Sequence, residues 1–243
     1  MCLNKKEKDL RFKKQIEALN IQLTDQQYEQ FYKYYEMLVE WNKVMNLTGI
    51  TEFEDVLLKH FIDSVAVCQI TDMSKVKSVM DVGTGAGFPG MPLKIVFPHL
   101  KITLLDSLNK RIQFLNAVIE KLQLKDIDTI HGRAEDFGRD EQYREQYDMC
   151  VSRAVANLSS LSEYCVPFIK VGGRFISYKA GEVEEEVTNA EKAVRTLHCE
   201  PATIAKITLP DSDLSRSFVI IKKKGHLDKK YPRKAGMPTK NPL

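Results

Sequence analysis

The run Val79-Met80-Asp81-Val82-Gly83-Thr84-Gly85-Ala86-Gly87-Phe88-Pro89-Gly90 takes an apolar strand into a glycine-rich turn and out into a helix. Glycines permit positive φ and let a backbone come close to a ligand. In open α/β sheets such a ligand lies beyond the carboxyl ends of the strands. Pro89 suits a helix start, where its missing N–H has no partner to lose. The next apolar strand ends at Asp106, nineteen residues after Gly87. A carboxylate at that place can accept both hydroxyl protons of a ribose, or cap a helix from Asn109 onward. The chemistry in view is therefore a grip on a nucleoside. Gly85-x-Gly87-x-x-Gly90 is also a literal dinucleotide fingerprint and keeps an NAD-dependent oxidoreductase as the rival. Asp81 speaks against that rival: it would repel a pyrophosphate, whereas an ammonium or sulfonium tolerates it.

Asp-x-Gly-x-Gly-x-Gly resembles motif I of methyltransferases, whose donor, S-adenosyl-L-methionine, carries both of those cations. After the third strand come Gly132-Arg133-Ala134-Glu135-Asp136. Ala134 and Glu135 are placed to meet the adenine ring and its amino group, although acids also collect at helix N-termini. The fourth strand delivers Asp148-Met149-Cys150-Val151-Ser152-Arg153-Ala154-Val155 to the same edge, where an acceptor would face it. It holds neither an Asn/Asp-Pro-Pro-aromatic motif nor a Pro-Cys nucleophile. An acceptor with its own lone pair, such as a guanine N7, needs neither. Its attack requires mainly alignment, which can supply about 7 kcal/mol or more. No residue is assigned a catalytic acid or base role.

The elements that must position these residues follow from periodicity. Tyr28, Phe31, Tyr32, Tyr35, Leu38 and Val39 recur at helical spacing after a Thr24-x-x-Gln27 capping box. Such a stripe is more often a buried face than a base-stacking surface. Further helical pattern from Phe53 to Ile70 makes the N-terminal quarter helical. Strands are predicted at 78–82, 102–106, 126–131, 147–152, 173–177, 202–207 and 217–222. Helices are predicted at 91–97, 110–122, 158–169 and 182–196. This alternation means a parallel sheet covered on both faces, with the last two strands as an antiparallel hairpin. The fold class expected is α/β: the class I S-adenosylmethionine-dependent methyltransferase fold, a mostly parallel seven-stranded sheet with an N-terminal helical extension. The expected division is an extension over 1–72 packed on the core, a methyltransferase domain over 73–224, and a basic C-terminal tail over 225–243.

With 243 residues, 43% hydrophobic and 28% charged, the chain can bury one large core and lacks the composition of disorder. Its longest apolar runs fall far short of the roughly 20 residues of a membrane helix. Its start, Met1-Cys2-Leu3-Asn4-Lys5-Lys6, has no secretory pattern, so a cytoplasmic protein is expected. Cys2, Cys68, Cys150, Cys165 and Cys199 form no C-x-x-C pair, which argues against a disulfide framework and against a metal site. Cys68 and Cys150 read as small hydrophobes. The net charge of +3 divides unevenly: residues 222–243 carry +7 and residues 1–221 carry −4. That asymmetry points to nucleic acid, with a merely solubilising tail as the plainer reading.

With these residues in place, the chain resembles the ribosomal RNA small subunit methyltransferase G family, also called glucose-inhibited division protein B. The likeness runs through Trp41-Asn42-Lys43, Asn46-Leu47-Thr48, His60-Phe61-Ile62-Asp63-Ser64, 81–92, 107–115, 132–135, Ser152-Arg153-Ala154 and Tyr231-Pro232-Arg233-Lys234-Ala235-Gly236. It implies methyl transfer from S-adenosyl-L-methionine to N7 of one guanine in bacterial 16S ribosomal RNA. The donor would be held by Gly83, Gly85, Gly87, Phe88, Asp106, Ala134, Glu135 and Arg153. Arg153 has a structural ion pair as its alternative. Lys59 stands where the family pattern leads us to expect Arg, which loses a bidentate fork toward phosphate. For RNA contact the basic candidates are Lys110, Arg111, Lys179, Arg216 and the tail, through phosphates. His60 is either a wall of the acceptor pocket or a satisfied buried histidine. The partner expected is the small ribosomal subunit, met by a monomer without metal or membrane. A non-catalytic RNA-binding module on the same fold is a further rival.

Overall fold

The structure, a computed structural model, describes residues 5–153 and 156–243, with side chains described from residue 10 onward. Cys2, Ala154 and Val155 lie outside the described residues. Seven strands, β1 (Ser78–Val82), β2 (Lys101–Asp106), β3 (Ile127–His131), β4 (Tyr147–Arg153), β5 (Ile169–Ala180), β6 (Thr203–Thr208) and β7 (Ser215–Lys222), form one sheet in the order β3-β2-β1-β4-β5-β7-β6. The pairs β1/β2, β2/β3, β1/β4 and β4/β5 are parallel, and β7 is antiparallel to both β5 and β6. This is the class I methyltransferase arrangement expected from the alternating pattern. Strand order reverses between β1 and β4, and the crevice at such a switch point is where a ligand binds.

The largest boundary differences lie around Pro167. The helix expected to reach residue 169 ends as α8 (Leu158–Cys165), followed by a 3-10 turn over Val166–Phe168. Proline has no N–H to continue a helix and clashes with the preceding turn. β5 then starts early, because Ile169 already pairs with Tyr147, and after a register shift Arg174 pairs with Met149. The remaining helices of the sheet are α5 (Gly90–Val96), α6 (Asn109–Leu122), α7 (Ala134–Phe137), α9 (Glu184–Thr196) and α10 (Met237–Lys240).

The N-terminal quarter is helical as expected: α1 (Lys5–Ala18), α2 (Asp25–Met45), then a stretch that is α over Phe53–Val56 (α3), π over Leu57–Ile62, α over Asp63–Val65 (α4) and 3-10 over Ala66–Gln69. The Thr24/Gln27 capping box is complete. α1 went unread because its early residues are mostly charged, yet Phe12 and Ile16 are fully buried and Phe12 meets Phe31 edge-on at 5.5 Å. The α2 stripe is a core face, as expected, but its fully buried members are Phe31, Tyr34 and Leu38. These helices share one apolar cluster with β1, β2, α5 and α6, on one side of the sheet; α8 and α9 build the cluster on the other. Cys150 is buried and Cys68 half-buried, and both are free thiols.

Candidate active site

The glycine loop is fixed from below. Gly83 N and Thr84 N both donate to Leu105 O, at 2.8 and 3.1 Å, tying the end of β1 to the end of β2. Asp81 does not face the cavity above. It is fully buried, and its Oδ2 accepts from Thr84 Oγ1 at 2.7 Å and from Gly90 N at 2.8 Å. Its Oδ1 is buried without a hydrogen-bond partner. Burial pushes the carboxyl up to about 7, against the pull of those two hydrogen bonds and of Arg153. From the other side the Tyr34 hydroxyl donates to Ala86 O. Its ring stacks on Phe61 and Phe88 at 5.3 and 5.5 Å between centroids.

This bracing separates the glycines by role. Gly85, at φ 62°, would place a Cβ in open space. A Cβ on Gly87 would meet Tyr34 Oη at 2.5 Å and Met91 Cγ at 2.6 Å, and one on Gly90 would meet Asp81 Oδ2 at 2.8 Å. Gly87 and Gly90 thus serve packing beneath the loop. The N-terminus of α5, where a dinucleotide fold seats its pyrophosphate, already has the Asp81 carboxyl on Gly90 N. The literal dinucleotide fingerprint is therefore used for other ends. The exclusion comes from where Asp81 sits; with a carboxyl near 7, the simple charge contrast expected from the sequence is weaker.

Above the loop opens a cavity of about 990 Å³. Asp106, 2% exposed, lines it at the end of β2. Its Oδ2 accepts from Gly85 N at 2.9 Å and Arg111 Nη1 at 3.1 Å, and its Oδ1 from Leu108 N at 2.9 Å. Ala134 and Glu135 line the same cavity from the start of α7. Glu135 is 6% exposed, and its Oε1 accepts from Gly236 N at 2.8 Å.

The opposite wall is a stack of Phe88, His60 and Arg153. The His60 ring lies 4.5 Å from Phe88 at 18°, and the Arg153 guanidinium carbon stands 5.1 Å from the Phe88 centroid. Arg153 Nη1 pairs with Asp63 Oδ2 at 2.9 Å, and Arg153 Nη2 lies 3.2 Å from His60 Nδ1. His60 Nδ1 also lies 3.2 Å from Lys59 O, and Nε2 lies 2.8 Å from Thr48 Oγ1. Burial first, then Arg153, lower the His60 pKa to about 4. His60 is therefore a neutral histidine with partners at both ring nitrogens, and it lines the cavity. It sits on the π-helical turn, a local widening that often marks functional positions.

The sequence pattern of rRNA small subunit methyltransferase G matches residues 27–215. Ribosomal RNA small subunit methyltransferase G of Acetivibrio thermocellus is 52% identical over 98% of this chain and 99% of its own length. The chain belongs to the ribosomal RNA small subunit methyltransferase G family. Two crystal structures share the fold alone: a SAM-dependent O-methyltransferase of Thermotoga maritima (TM-score 0.50, 17% identity, 79% of this chain and 72% of that one) and a protein of Agrobacterium tumefaciens described as a predicted O-methyltransferase (0.52, 15%, 68% and 80%).

Family membership bears out the resemblance read from the motifs. The residues expected to hold the donor, Gly83, Gly85, Phe88, Asp106, Ala134, Glu135 and Arg153, all line one cavity, while Gly87 lies beneath its floor. The basic residues expected to face RNA are dispersed. Arg111 lines the cavity on Asp106, and Lys110 Nζ donates to Met45 O at 3.1 Å. Lys179 pairs with Glu186 at 2.7 Å, and Arg216 with Asp63 at 2.5 Å. Lys59 pairs with Asp55 at 2.8 Å. Sequence reasoning missed Tyr34, although it stands three residues after Phe31 and four before Leu38. It also missed Tyr164, Gly236 and Thr239, all on the cavity wall. Gly236 closes the Tyr231-to-Gly236 motif of the family likeness, whereas no pattern in the chain marks Tyr164 or Thr239.

Proposed function

We propose that the protein transfers a methyl group from S-adenosyl-L-methionine to N7 of a guanine in bacterial 16S ribosomal RNA. One observation carries this reading: the helix N-terminus under the loop is taken by Asp81, while Gly85, Asp106 and Glu135 converge on one open cavity. The residues present fit the donor. The cavity is at the upper end of the 300 to 1,000 Å³ usual for ligand sites. The empty space in front of Gly85 is a cradle that a Cβ would fill. The two buried acids suit a ribose diol and an adenine amino group.

S-adenosyl-L-methionine supplies an electrophilic methyl group on a sulfonium. Asp106 would hold the ribose hydroxyls, exchanging its Arg111 contact for them, and Glu135 would accept from the adenine amino group. Phe88, stiffened by the rings of Tyr34 and His60, would form the wall beside the reacting methyl. Neutral His60 adds no positive charge next to the sulfonium. Since guanine N7 brings its own lone pair, these residues need only align the partners and exclude water. The same reading has a monomer acting on the small subunit in the cytoplasm. In support, the exposed large apolar residues among those described, Leu10, Val44, Leu108, Val171 and Met237, stand on separate elements. Among the described residues there is no membrane-length apolar helix and no cluster of metal ligands.

Incubating the protein with labelled methyl donor and unmodified small subunits, then mapping the label by mass spectrometry, tests the reading. Label on a guanine N7 of 16S RNA is expected. Binding of S-adenosylhomocysteine without any transfer to RNA would leave only a donor-binding protein.

A further inference from the structure

The segment after β7 is basic in composition, but its path is fixed by polar contacts to the body. Arg144 Nη1 and Nη2 donate to Tyr231 O at 2.7 Å and Leu227 O at 2.9 Å, and Arg139 Nε to Pro232 O at 2.8 Å. Arg233 grips Glu163, which is fully buried on α8, through Nε at 2.9 Å and Nη2 at 2.6 Å. Arg233 N adds a third bond to Glu163 Oε1 at 2.7 Å. Such a bidentate pair sets a geometry as well as a contact. Past this anchor, Gly236 N donates to Glu135 Oε1 at 2.8 Å, Ser160 Oγ to Pro238 O at 2.8 Å, and Tyr164 Oη meets Thr239 Oγ1 at 2.6 Å. Gly236 and Thr239 line the cavity beside Glu135. Gly236 has φ 79°, a left-handed backbone that favours glycine and that here aims the N–H at the carboxylate.

We propose that the turn 233–240 is the outer wall of the adenine end of the donor site and a specificity element for the base. By occupying one oxygen of Glu135, the Gly236 N–H fixes the carboxylate so that its other oxygen, which has no hydrogen-bond partner among the described residues, meets the exocyclic amino group. A fixed acceptor rejects a hypoxanthine, whose C6 oxygen would face it, because two acceptors would then be left unpaired. This rests on the reading that S-adenosyl-L-methionine occupies the cavity with its base at Glu135. Lys229, Lys230 and Lys234 of the same segment are exposed, Lys230 with its Nζ 3.4 Å from Asp228 Oδ2.

Hydrogen exchange followed by mass spectrometry on the full chain, with and without saturating S-adenosylhomocysteine, tests the wall directly. Amides of 233–240 are expected to exchange at least tenfold more slowly with the ligand; unchanged exchange there, with slowing at the glycine loop, overturns the inference. Calorimetry with S-adenosylhomocysteine and S-inosylhomocysteine tests the specificity. In Y164F, which releases Thr239 and keeps the ring, the preference for the adenine nucleoside is expected to fall at least threefold. In the charge-free double variant E163Q/R233M it is expected to fall at least tenfold. A preference equal to wild type in folded Y164F overturns the inference even if the double variant fails to fold. Wild-type protein that binds neither nucleoside, or shows no slowing at the loop, instead overturns the donor-site reading beneath it.

Discussion

Replacing Asp81 by Asn separates a buried charge from the shape that carries it. The carboxyl is fully buried, accepts two hydrogen bonds at Oδ2, none at Oδ1, and is pushed up to about 7. The unfolded chain holds an aspartate proton only below about 3.9. Between these values the folded protein binds more protons than the unfolded one, so the contribution of Asp81 to stability is complete below pH 4 and is lost as pH rises to 7. Three units at 1.36 kcal/mol each make the loss about 4 kcal/mol. Asn keeps the acceptor for Thr84 and Gly90 and cannot ionise. Its own cost, an unpaired amide at the Oδ1 position, does not vary with pH. Urea unfolding of both proteins without ligand, at half-unit steps from pH 4 to 7.5, cancels every titration they share. The stability of Asp81→Asn relative to wild type is expected to climb by about 4 kcal/mol across that range. A difference that stays flat would refute the claim that Asp81 is a buried brace holding its proton toward neutrality.

His60 gives the opposite slope: its lowered pKa, about 4, means that its contribution is whole above 6.5 and falls away between 6.5 and 4. Folded His60→Asn should therefore lack about 3 kcal/mol of acid-dependent destabilisation in the same urea series, and methylation by wild type should show no histidine inflection between pH 6 and 8. Tyr34→Phe removes the donor to Ala86 O but keeps the stack on Phe61 and Phe88; leaving that carbonyl unpaired should cost about 1 to 2 kcal/mol by urea unfolding and weaken S-adenosylhomocysteine binding by calorimetry. Gly85→Ala puts a methyl into the open space above the loop at φ 62°. The left-handed backbone should cost about 1 kcal/mol of stability, while donor affinity falls more than tenfold; unaltered affinity would remove Gly85 from the donor site.

Most of the strands could be read from the chain because they are short apolar or alternating runs bounded by turn residues, a signal that does not depend on distant partners. The glycine loop was readable for a related reason: its φ values of 62° to 100° at Gly83, Gly85 and Gly87 are a backbone demand that few residues meet. What could not be read is which side of an element its neighbours choose. Tyr34 and Tyr35 are adjacent on α2, about 100° apart around the helix, and both fit a three-to-four spacing. Only the rotation of α2 against the glycine loop, fifty residues on, sends Tyr34 to Ala86 and leaves Tyr35 bonded to Thr51 O at 3.1 Å. The C-terminal segment hid its docking for another reason. Leu227, Tyr231, Pro232 and Pro238, which it buries, are few and fall among helix-breaking prolines and Gly236, whereas its lysines stand out by composition.

Charge was the least legible feature, because a sequence shows a cation but not its partner. Arg153 and Arg216 meet at one carboxylate, Asp63, from positions 90 and 153 residues away. The pairing does not neutralise this edge of the cavity: two guanidinium groups share a single buried acid, so one positive charge remains beside the stack of Phe88 and His60. Neutral His60, held at a pKa of about 4, neither adds to that charge nor cancels it. Across the cavity the balance differs, since Arg111 faces Asp106 alone and the pair is neutral. Taken singly, Arg216 suggests a phosphate contact and Arg153 either the donor or a structural ion pair, and the structure shows the ion pair with Asp63 at 2.9 Å. The shared aspartate links both arginines in one network, so substitutions at Arg153, Arg216 and Asp63 are expected to act non-additively.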